Sequence, residues 1–178
     1  MTRSRSRIAV IDLQPGVSIA QHAHFKGHAQ RRHTRIAALG EALPKHRTKQ
    51  VRKAERLGLV FEPCADDLRR MVSLHQGARK RKGIASDGGA LTRLLTSLAS
   101  HDAVHQHFVC NARGERIAGG MFLRTAGDRV LYAFGGADRS SESGLATVLL
   151  LHGAMDMARS EGVSRFDFGG SQDAGVDR

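Results

Sequence analysis

Two residues on predicted strands have side chains that could act as an acid or a base. Asp167 lies between Phe166 and Phe168. Side chains alternate between the two faces of a strand, so we expect both phenyl rings on one face and the carboxylate on the other. The carboxylate is then a candidate general base, or a structural group that accepts backbone N–H bonds. Tyr132 is a candidate acid, or a packing residue with its hydroxyl in water.

Two glycine pairs interrupt predicted strands. Gly119 and Gly120 lie within one apolar run, and Gly135 and Gly136 lie near the end of the next. A glycine inside a strand often marks a bulge, or a place where a ligand approaches the backbone closely. The sequence leaves both explanations open.

Basic residues are concentrated in the first half of the chain. Residues 1–82 carry 19 Lys and Arg against 6 Asp and Glu, whereas residues 83–178 carry 9 against 11. One helix face and the segment after the next helix hold most of the clustered charge: Lys49, Arg52, Lys53, Arg56, Arg79, Lys80, Arg81 and Lys82. Such groups suit phosphate contacts to tRNA or a nucleotide-linked acceptor, or are simply solvated surface. With one Tyr and no Trp, base stacking on single strands is not expected.

Metal and thiol chemistry are not expected. Seven histidines form two groups, but no Cys or carboxylate spacing completes either as a metal site: His22, His24, His28 and His33, then His101, His105 and His107. Cys64 and Cys110 lie far apart, which fits a reducing compartment, and Cys110 has no evident nucleophile partners. No stretch reads as a signal peptide or approaches the roughly 20 apolar residues of a membrane span. We therefore expect a soluble cytoplasmic protein.

Hydrophobic patterning predicts the elements that position these residues. Periods of 3.6 and 2 indicate helices over 45–57, 65–77, 90–100 and 143–161, and strands over 8–13, 59–64, 105–110, 116–125, 129–137 and 164–168. Residues 1–43 are otherwise weakly patterned. The order predicts an α/β arrangement around a mostly antiparallel sheet, with one crossover helix before a parallel strand.

This order of elements resembles a GNAT acyltransferase through its fifth strand. The segment KHRTKQVRKAERLGLVFE resembles the opening of Fem-like domains, and an apolar helix followed by Gly162 and RFDFGGS resembles a later segment of them. The similarity runs from about Leu43 to the C-terminus. It implies a basic N-terminal segment, 1–43, and a GNAT-like domain, 44–178, that lacks the last helix and closing hairpin. The second GNAT-like domain of Fem-type enzymes is also not accounted for.

The resemblance also implies a reaction and a site. An acetyl, acyl or aminoacyl group would pass from acyl-CoA or aminoacyl-tRNA to an amine, on a small molecule or a cell-wall precursor, with no tightly bound cofactor. The acyl group would lie between the strands YAFGGA and RFDFGG, near the backbone N–H groups of Phe134, Gly135 and Gly136. Asp167 would orient or deprotonate the amine.

In the family, the donor phosphates lie on the N-terminus of the next helix, here Ser143, Gly144, Leu145 and Ala146. Glu142 would repel a diphosphate there, which favours aminoacyl-tRNA as the donor; an ordinary Ser-capped helix is the alternative. A non-catalytic module that binds RNA or another polyanion is the alternative function. An open edge beside the last strand would favour a homodimer.

Overall fold

The computed structural model describes residues 33–39, 45–84, 87–125 and 128–171, and within them four helices and six strands. The strands are β1 (His33–Ala38), β2 (Val60–Glu62), β3 (Val104–Cys110), β4 (Arg116–Thr125), β5 (Arg129–Ala137) and β6 (Arg165–Ser171). The helices are α1 (Lys45–Arg56), α2 (Leu68–Arg81), α3 (Gly88–Ala99) and α4 (Ser143–Ser160). The predicted strand 8–13 lies outside the described residues.

The described strands form one sheet in the order β1-β6-β5-β4-β3-β2. Every neighbouring pair is antiparallel except β5 and β6, which are parallel and are connected by α4. The predicted fold class, a mixed and mostly antiparallel sheet flanked by helices, is confirmed.

Helices cover both faces of the sheet. One core cluster joins α1 and α4 to the sheet through residues such as Val51, Leu150 and Phe166. The other joins α2 and α3 to the opposite face through residues such as Leu74 and Leu95. The sheet is therefore the middle layer of three, so any site at a strand end lies between helices of both outer layers.

The basic helix α1 buries only its small apolar side. Val51 and Ala54 are buried, as their spacing predicts. Leu57, the last residue of the predicted helix, follows the observed helix and is 43% exposed. Gly58 adopts a φ of 74°, a left-handed conformation that favours glycine and turns the chain away after α1.

Helix α2 is longer than predicted at its C-terminal end. Asp67 caps its start, because its Oδ1 accepts a hydrogen bond from the Arg70 N–H at 3.0 Å. The helix runs to Arg81, so the first part of the basic segment that was predicted to follow it is instead its last turn. Cations are favourable at this end of a helix dipole, and Gly83, with a φ of 66°, is the first residue suited to stop the helix.

Residues 33–38 form a strand that the weak pattern of the N-terminal segment does not predict. This strand, β1, pairs antiparallel with β6, for example Ile36 with Asp167. The edge of β6 that the sequence predicts to be open is therefore covered, and the homodimer prediction loses the edge on which it depends. In the described ranges, every helix is too short or too polar to cross a bilayer.

An ion-pair cluster fixes α2 against the sheet. The Arg116 guanidinium on β4 donates to both carboxylate oxygens of Glu62 on β2, at 2.7 and 2.8 Å, and to Asp67 at 2.6 Å. Arg70 of α2 donates back to the Arg116 carbonyl at 2.7 Å. The bidentate pair joins β4 to β2, and the bonds of Asp67 and Arg70 to Arg116 hold the start of α2 against β4.

Candidate active site

The two parallel strands separate at the C-terminal end of β5. Pairing between β5 and β6 is limited to residues 129–131 and 165–167. Beyond that point β5 continues to Ala137 and β6 to Ser171, but no ladder joins them. We call the space between residues 132–137 and 168–171 the strand gap.

A glycine turn on β6 opens the strand gap. Gly169 has a φ of 76°, and its N–H donates to Asp167 Oδ1 at 2.9 Å. A side chain at Gly169 would begin 3.1 Å from the Tyr132 carbonyl oxygen on β5. The left-handed residue thus turns β6 out of the ladder, and the Asp167 carboxylate holds that turn.

A bulge on β5 shapes the other side of the strand gap. Phe122 and Met121 of β4 are consecutive, but their partners are Tyr132 and Phe134, so Ala133 is the extra residue. A bulge reverses the alternation of the strand after it. Beyond Ala133, the residues of β5 whose backbone groups face the strand gap are therefore shifted by one position relative to a regular strand.

The backbone direction of each β5 residue follows from one hydrogen bond. The Asp138 N–H donates to the Ile117 carbonyl on β4 at 2.9 Å. Because alternate residues of a strand point their N–H and C=O groups to opposite sides, residues 134 and 136 also face β4. Of the predicted acyl-site residues, only Gly135 directs its N–H to the strand gap. Ala137, which was not predicted, does the same.

Side chains of α2 occupy the carbonyl groups at this edge. His75 Nδ1 donates to the Gly135 carbonyl at 3.0 Å, and Arg81 Nη2 donates to the Ala137 carbonyl at 2.5 Å. Burial lowers the pKa of His75, so its ring is neutral at pH 7 and carries its proton on Nδ1. With both acceptors engaged, the strand gap is left with the N–H donors of Gly135 and Ala137. Donors aimed at one space suit an oxygen that gains negative charge.

The Tyr132 hydroxyl lies directly over Gly135. A Cβ on Gly135 would fall 1.6 Å from the hydroxyl oxygen, and one on Gly120 would fall 2.8 Å from the ring. The ring also stacks on Phe122, with centroids 5.2 Å apart. Burial raises the pKa of Tyr132 to about 12, so the hydroxyl keeps its proton at neutral pH and can donate it. Gly120 and Gly135 therefore make room for the Tyr132 ring. The sequence pattern indicated only a bulge or a close ligand approach at these glycines.

Asp167 is buried and has two partners. Its Oδ1 accepts from Gly169, and its Oδ2 lies 3.4 Å from Arg129 Nη1. Phe166 and Phe168 pack into the α1/α4 cluster, as the alternation predicts for the opposite face. The contacts of Asp167 match the structural alternative, a carboxylate that accepts a backbone N–H.

The start of α4 lies after the loop that leaves β5. The helix begins at Ser143, but its N-cap is Glu142, which makes no side-chain capping bond, so the Ser-capped alternative is wrong. Gly144 is exposed and a Cβ there would meet nothing within 4 Å. Leu145 packs toward the core and the Ala146 N–H donates to the Glu142 carbonyl. A phosphate approaching this helix end would meet both free space and the Glu142 carboxylate.

The four predicted cations of α1 are all exposed: Lys49, Arg52, Lys53 and Arg56. None of them has an ion pair within the described residues. The other predicted cations, Arg79 and Arg81, lie in the last turn of α2, and Arg81 is the group that reaches β5. The structure thus separates the basic residues into a solvent-facing helix and a group beside the strand gap.

Within the described residues, the remaining reactive side chains do not assemble into a metal or thiol site. Among the described residues, no three His, Cys, Asp or Glu side chains converge as metal ligands. Cys110 Sγ donates to Glu62 at 3.3 Å, and burial raises the pKa of that thiol. It is therefore a protonated thiol at neutral pH rather than a nucleophile.

Comparison with known proteins places this geometry in a family. A family model described as an acetyltransferase (GNAT) domain matches residues 45–174. The crystal structure of FemX has a TM-score of 0.66 and 14% identity over 79% of this chain and 53% of that chain. L-PGS from Bacillus licheniformis has a TM-score of 0.59 and 13% identity, over 82% and 46%. This chain spans about half the length of these two proteins, and no curated protein matches its sequence significantly.

At such low identities the two structural likenesses concern the fold alone, and it is the same fold that the element order predicts. The family model covers well over half of the chain, including α1 to α4, β5 and the described part of β6. The chain belongs to the GNAT acetyltransferase family.

Proposed function

We propose that the chain transfers an acyl group from an activated donor to an amine at the strand gap. The observation that supports this most directly is the edge of β5, where His75 and Arg81 bind the carbonyls and leave the N–H groups of Gly135 and Ala137 pointing into the gap. An acyl carbonyl bound there would find donors where its oxygen becomes negative.

The proposed step forms one bond and breaks one. The amine nitrogen attacks the acyl carbon, and the backbone N–H groups stabilise the oxyanion. The bond from that carbon to the donor then breaks, and the leaving group takes a proton from the Tyr132 hydroxyl. The amine releases a proton to water, and a proton from solvent restores the tyrosine. Asp167 acts in this scheme as a positioning residue, because Gly169 and Arg129 already engage its oxygens.

We infer that the donor is an aminoacyl-tRNA rather than acyl-CoA. The half-buried Glu142 carboxylate at the start of α4 disfavours a diphosphate at that helix end. The exposed cations of α1 suit a polyanion such as tRNA. The acceptor is a primary amine, carried by a small molecule or a cell-wall precursor.

A product-forming assay with a panel of primary amines tests the proposal. Charged tRNA and acetyl-CoA are supplied separately, each with the wild-type chain and with Tyr132→Phe. We expect amide formation from charged tRNA, and a kcat reduced about 100-fold in the variant, since general acid catalysis contributes roughly 10²–10⁴-fold. Product from acetyl-CoA alone would overturn the donor assignment. An unchanged kcat in Tyr132→Phe would remove Tyr132 from the mechanism.

Thermal melts with each donor provide a readout that does not depend on turnover. A ligand that binds only the folded chain raises its midpoint by mass action. Charged tRNA should raise the midpoint, and Arg52→Glu with Lys53→Glu on α1 should abolish the rise. Arg113→Glu, an exposed cation on the β3–β4 turn, is the matched control and should retain it.

Polyanion binding without chemistry is the second candidate function, favoured by the same four exposed cations of α1. It predicts tRNA binding that weakens steeply with salt, does not depend on the aminoacyl group and yields no product with any amine. A midpoint shift that is larger with charged than with uncharged tRNA would contradict this second function and support acyl transfer.

A further inference from the structure

A small groove between α2 and the end of β5 is rich in cations. It has a volume of about 390 Å³, within the range of small-ligand sites. Among the residues that the structure describes, its charged lining is Arg70, Lys80, Arg81, Arg139 and a single carboxylate, Asp138. We call this the α2 groove. It lies on the α2 side of β5 and does not include the N-terminus of α4.

The single carboxylate in the α2 groove is already engaged. Asp138 Oδ1 accepts from the Ser140 N–H at 2.9 Å, and its Oδ2 lies 3.9 Å from Arg70 Nη2. Lys80 and Arg139 are both exposed, and neither has an ion-pair partner within the described part of the chain. The four cations exceed the one carboxylate by three positive charges in a small space, so an anion bound among them would be stabilised.

A neighbouring depression shows that this is not simply the basic surface of the whole protein. The larger depression, about 870 Å³, lies beside the Arg116 cluster. It shares Arg70 and Asp138 with the α2 groove, but carboxylates outnumber cations in its lining: Glu62, Asp67, Glu115 and Asp138 against Arg70 and Arg116. Of these two depressions, it is therefore the α2 groove whose lining has an excess of positive charge.

Gly77 supplies a second, independent observation. It lies inside α2, where glycine costs about 1 kcal/mol relative to alanine. A Cβ at Gly77 would meet only Arg81 Nη1, at an ordinary 3.5 Å, so packing within the chain does not require glycine. Gly153 in α4 differs, because its Cβ would fall 2.5 Å from the Phe61 ring. At Gly77 the missing side chain instead leaves backbone open to the α2 groove.

We propose that the α2 groove binds the phosphate or diphosphate group of a small-molecule substrate of the acyl transfer. That the bound molecule is a substrate rests on the proposed function, whereas the binding of an anion in the groove does not. Arg81 links the two regions, since it lines the groove and donates to the Ala137 carbonyl at the strand gap. A phosphate held by Lys80 and Arg139 would thus anchor a molecule whose reactive end reaches the gap.

Calorimetric titration of the whole chain with inorganic diphosphate, at fixed low salt, tests the site. We expect saturable 1:1 binding by the wild-type chain. Lys80→Gln with Arg139→Gln should raise the Kd about tenfold or more, because two charge-assisted contacts are lost. Gly77→Leu should do the same by filling the groove. The equally charged control Lys53→Gln with Arg56→Gln on α1 should leave the Kd within about twofold.

Three results would overturn the proposal. One is a wild-type chain that does not bind diphosphate. Another is equal weakening by the α2-groove and α1 double variants, which would indicate diffuse charge attraction. The third is unchanged binding in Gly77→Leu, provided that thermal midpoints without ligand show every variant to be folded.

A competition arm identifies the molecule that carries the phosphate. Displacement of diphosphate by coenzyme A assigns the α2 groove to the acyl donor. Diphosphate that competes with the amine acceptor in the transfer assay assigns the groove to the acceptor. Diphosphate binding that depends on the groove in a chain without transferase activity would sink the proposed function and leave the anion site standing. Acyl transfer whose KM values are unchanged in Lys80→Gln with Arg139→Gln would leave the proposed function standing. It would overturn the α2 groove as the site of a substrate phosphate.

Discussion

Acidification should destabilise the fold through one buried histidine. His107 on β3 is 4% exposed and lies between the rings of Phe61 and Phe122, with centroids 5.4 and 4.9 Å away. Its Nδ1 accepts the Cys64 N–H at 3.0 Å. Burial, assisted by the neighbouring His105, lowers the pKa of His107 from 6.5 to about 4. A protonated ring would also lose its acceptor site for Cys64.

The direction of the effect follows from the sign of that shift. The folded-state pKa is below the unfolded one, so the unfolded chain binds the proton first as the pH falls. The stability that the neutral His107 contributes is therefore fully present above pH 6.5 and is lost progressively between pH 6.5 and pH 4. A lowering from 6.5 to about 4 corresponds to about 3 kcal/mol in total, of which about 2 kcal/mol is lost by pH 5.

Urea unfolding at pH 7.5, 6 and 5 measures this loss. His107→Gln is the informative variant, because its amide oxygen can still accept the Cys64 N–H but does not titrate. Wild type should lose about 2 kcal/mol more than the variant between pH 7.5 and 5. Burial also lowers the pKa of His75, which acts in the same direction in both proteins and cancels in the difference. The Arg116 pair lowers the pKa of Glu62 as well, and ending at pH 5 avoids its titration.

His101→Gln, in the loop before β3, is the control and should follow wild type at every pH. The reasoning would be refuted by His107→Gln and wild type losing the same free energy of unfolding between pH 7.5 and 5. That result would mean either that water reaches the ring or that the unfolded chain does not bind the extra proton.

Two further predictions concern the strand gap. Gly136→Ala places a Cβ 2.3 Å from the Leu74 carbonyl oxygen of α2, so the helix must move. We expect the free energy of unfolding in urea to fall by about 1–3 kcal/mol. Gly144→Ala, with open space around the added Cβ, is the control and should be neutral or slightly stabilising. Asp167→Ala removes the acceptor of the Gly169 N–H and should cost about 1.5–3 kcal/mol, with Asp167→Asn costing less because its amide oxygen still accepts. A kcat in Asp167→Asn equal to that of wild type would exclude the carboxylate as the base, and an unchanged stability in Asp167→Ala would contradict its role in the turn.

Most of the elements could be predicted because their signals are local. The limits predicted for β4 and β5 are those observed. A buried strand requires a run of apolar residues, and turn residues at both ends of that run mark its limits. The misses have physical causes. β1 carries no strong pattern, and it is a strand because β6 offers it an unpaired edge. The end of α2 was predicted to lie outside the helix because it is basic, but cations are favourable in a last helical turn.

The candidate site likewise has features that could be predicted from the sequence and features that could not. Residue types and spacing alone selected Tyr132, Asp167 and the glycine pairs, because a strand fixes which side chains share a face. Spacing could not determine where the backbone donors point, since the extra residue at Ala133 reverses the strand phase and appears only in the pairing with β4.

The opening of the strand gap and the engagement of its carbonyls were likewise decided by the tertiary structure. His75 and Arg81 lie about 60 residues before the carbonyls that they bind, and no local pattern links positions so far apart. The sequence by itself thus determined the family and most of the order of elements, and it supplied the candidate groups for the site. Packing of α2 across β5 decided which of those groups face the gap, because that contact depends on residues that meet only in the folded chain.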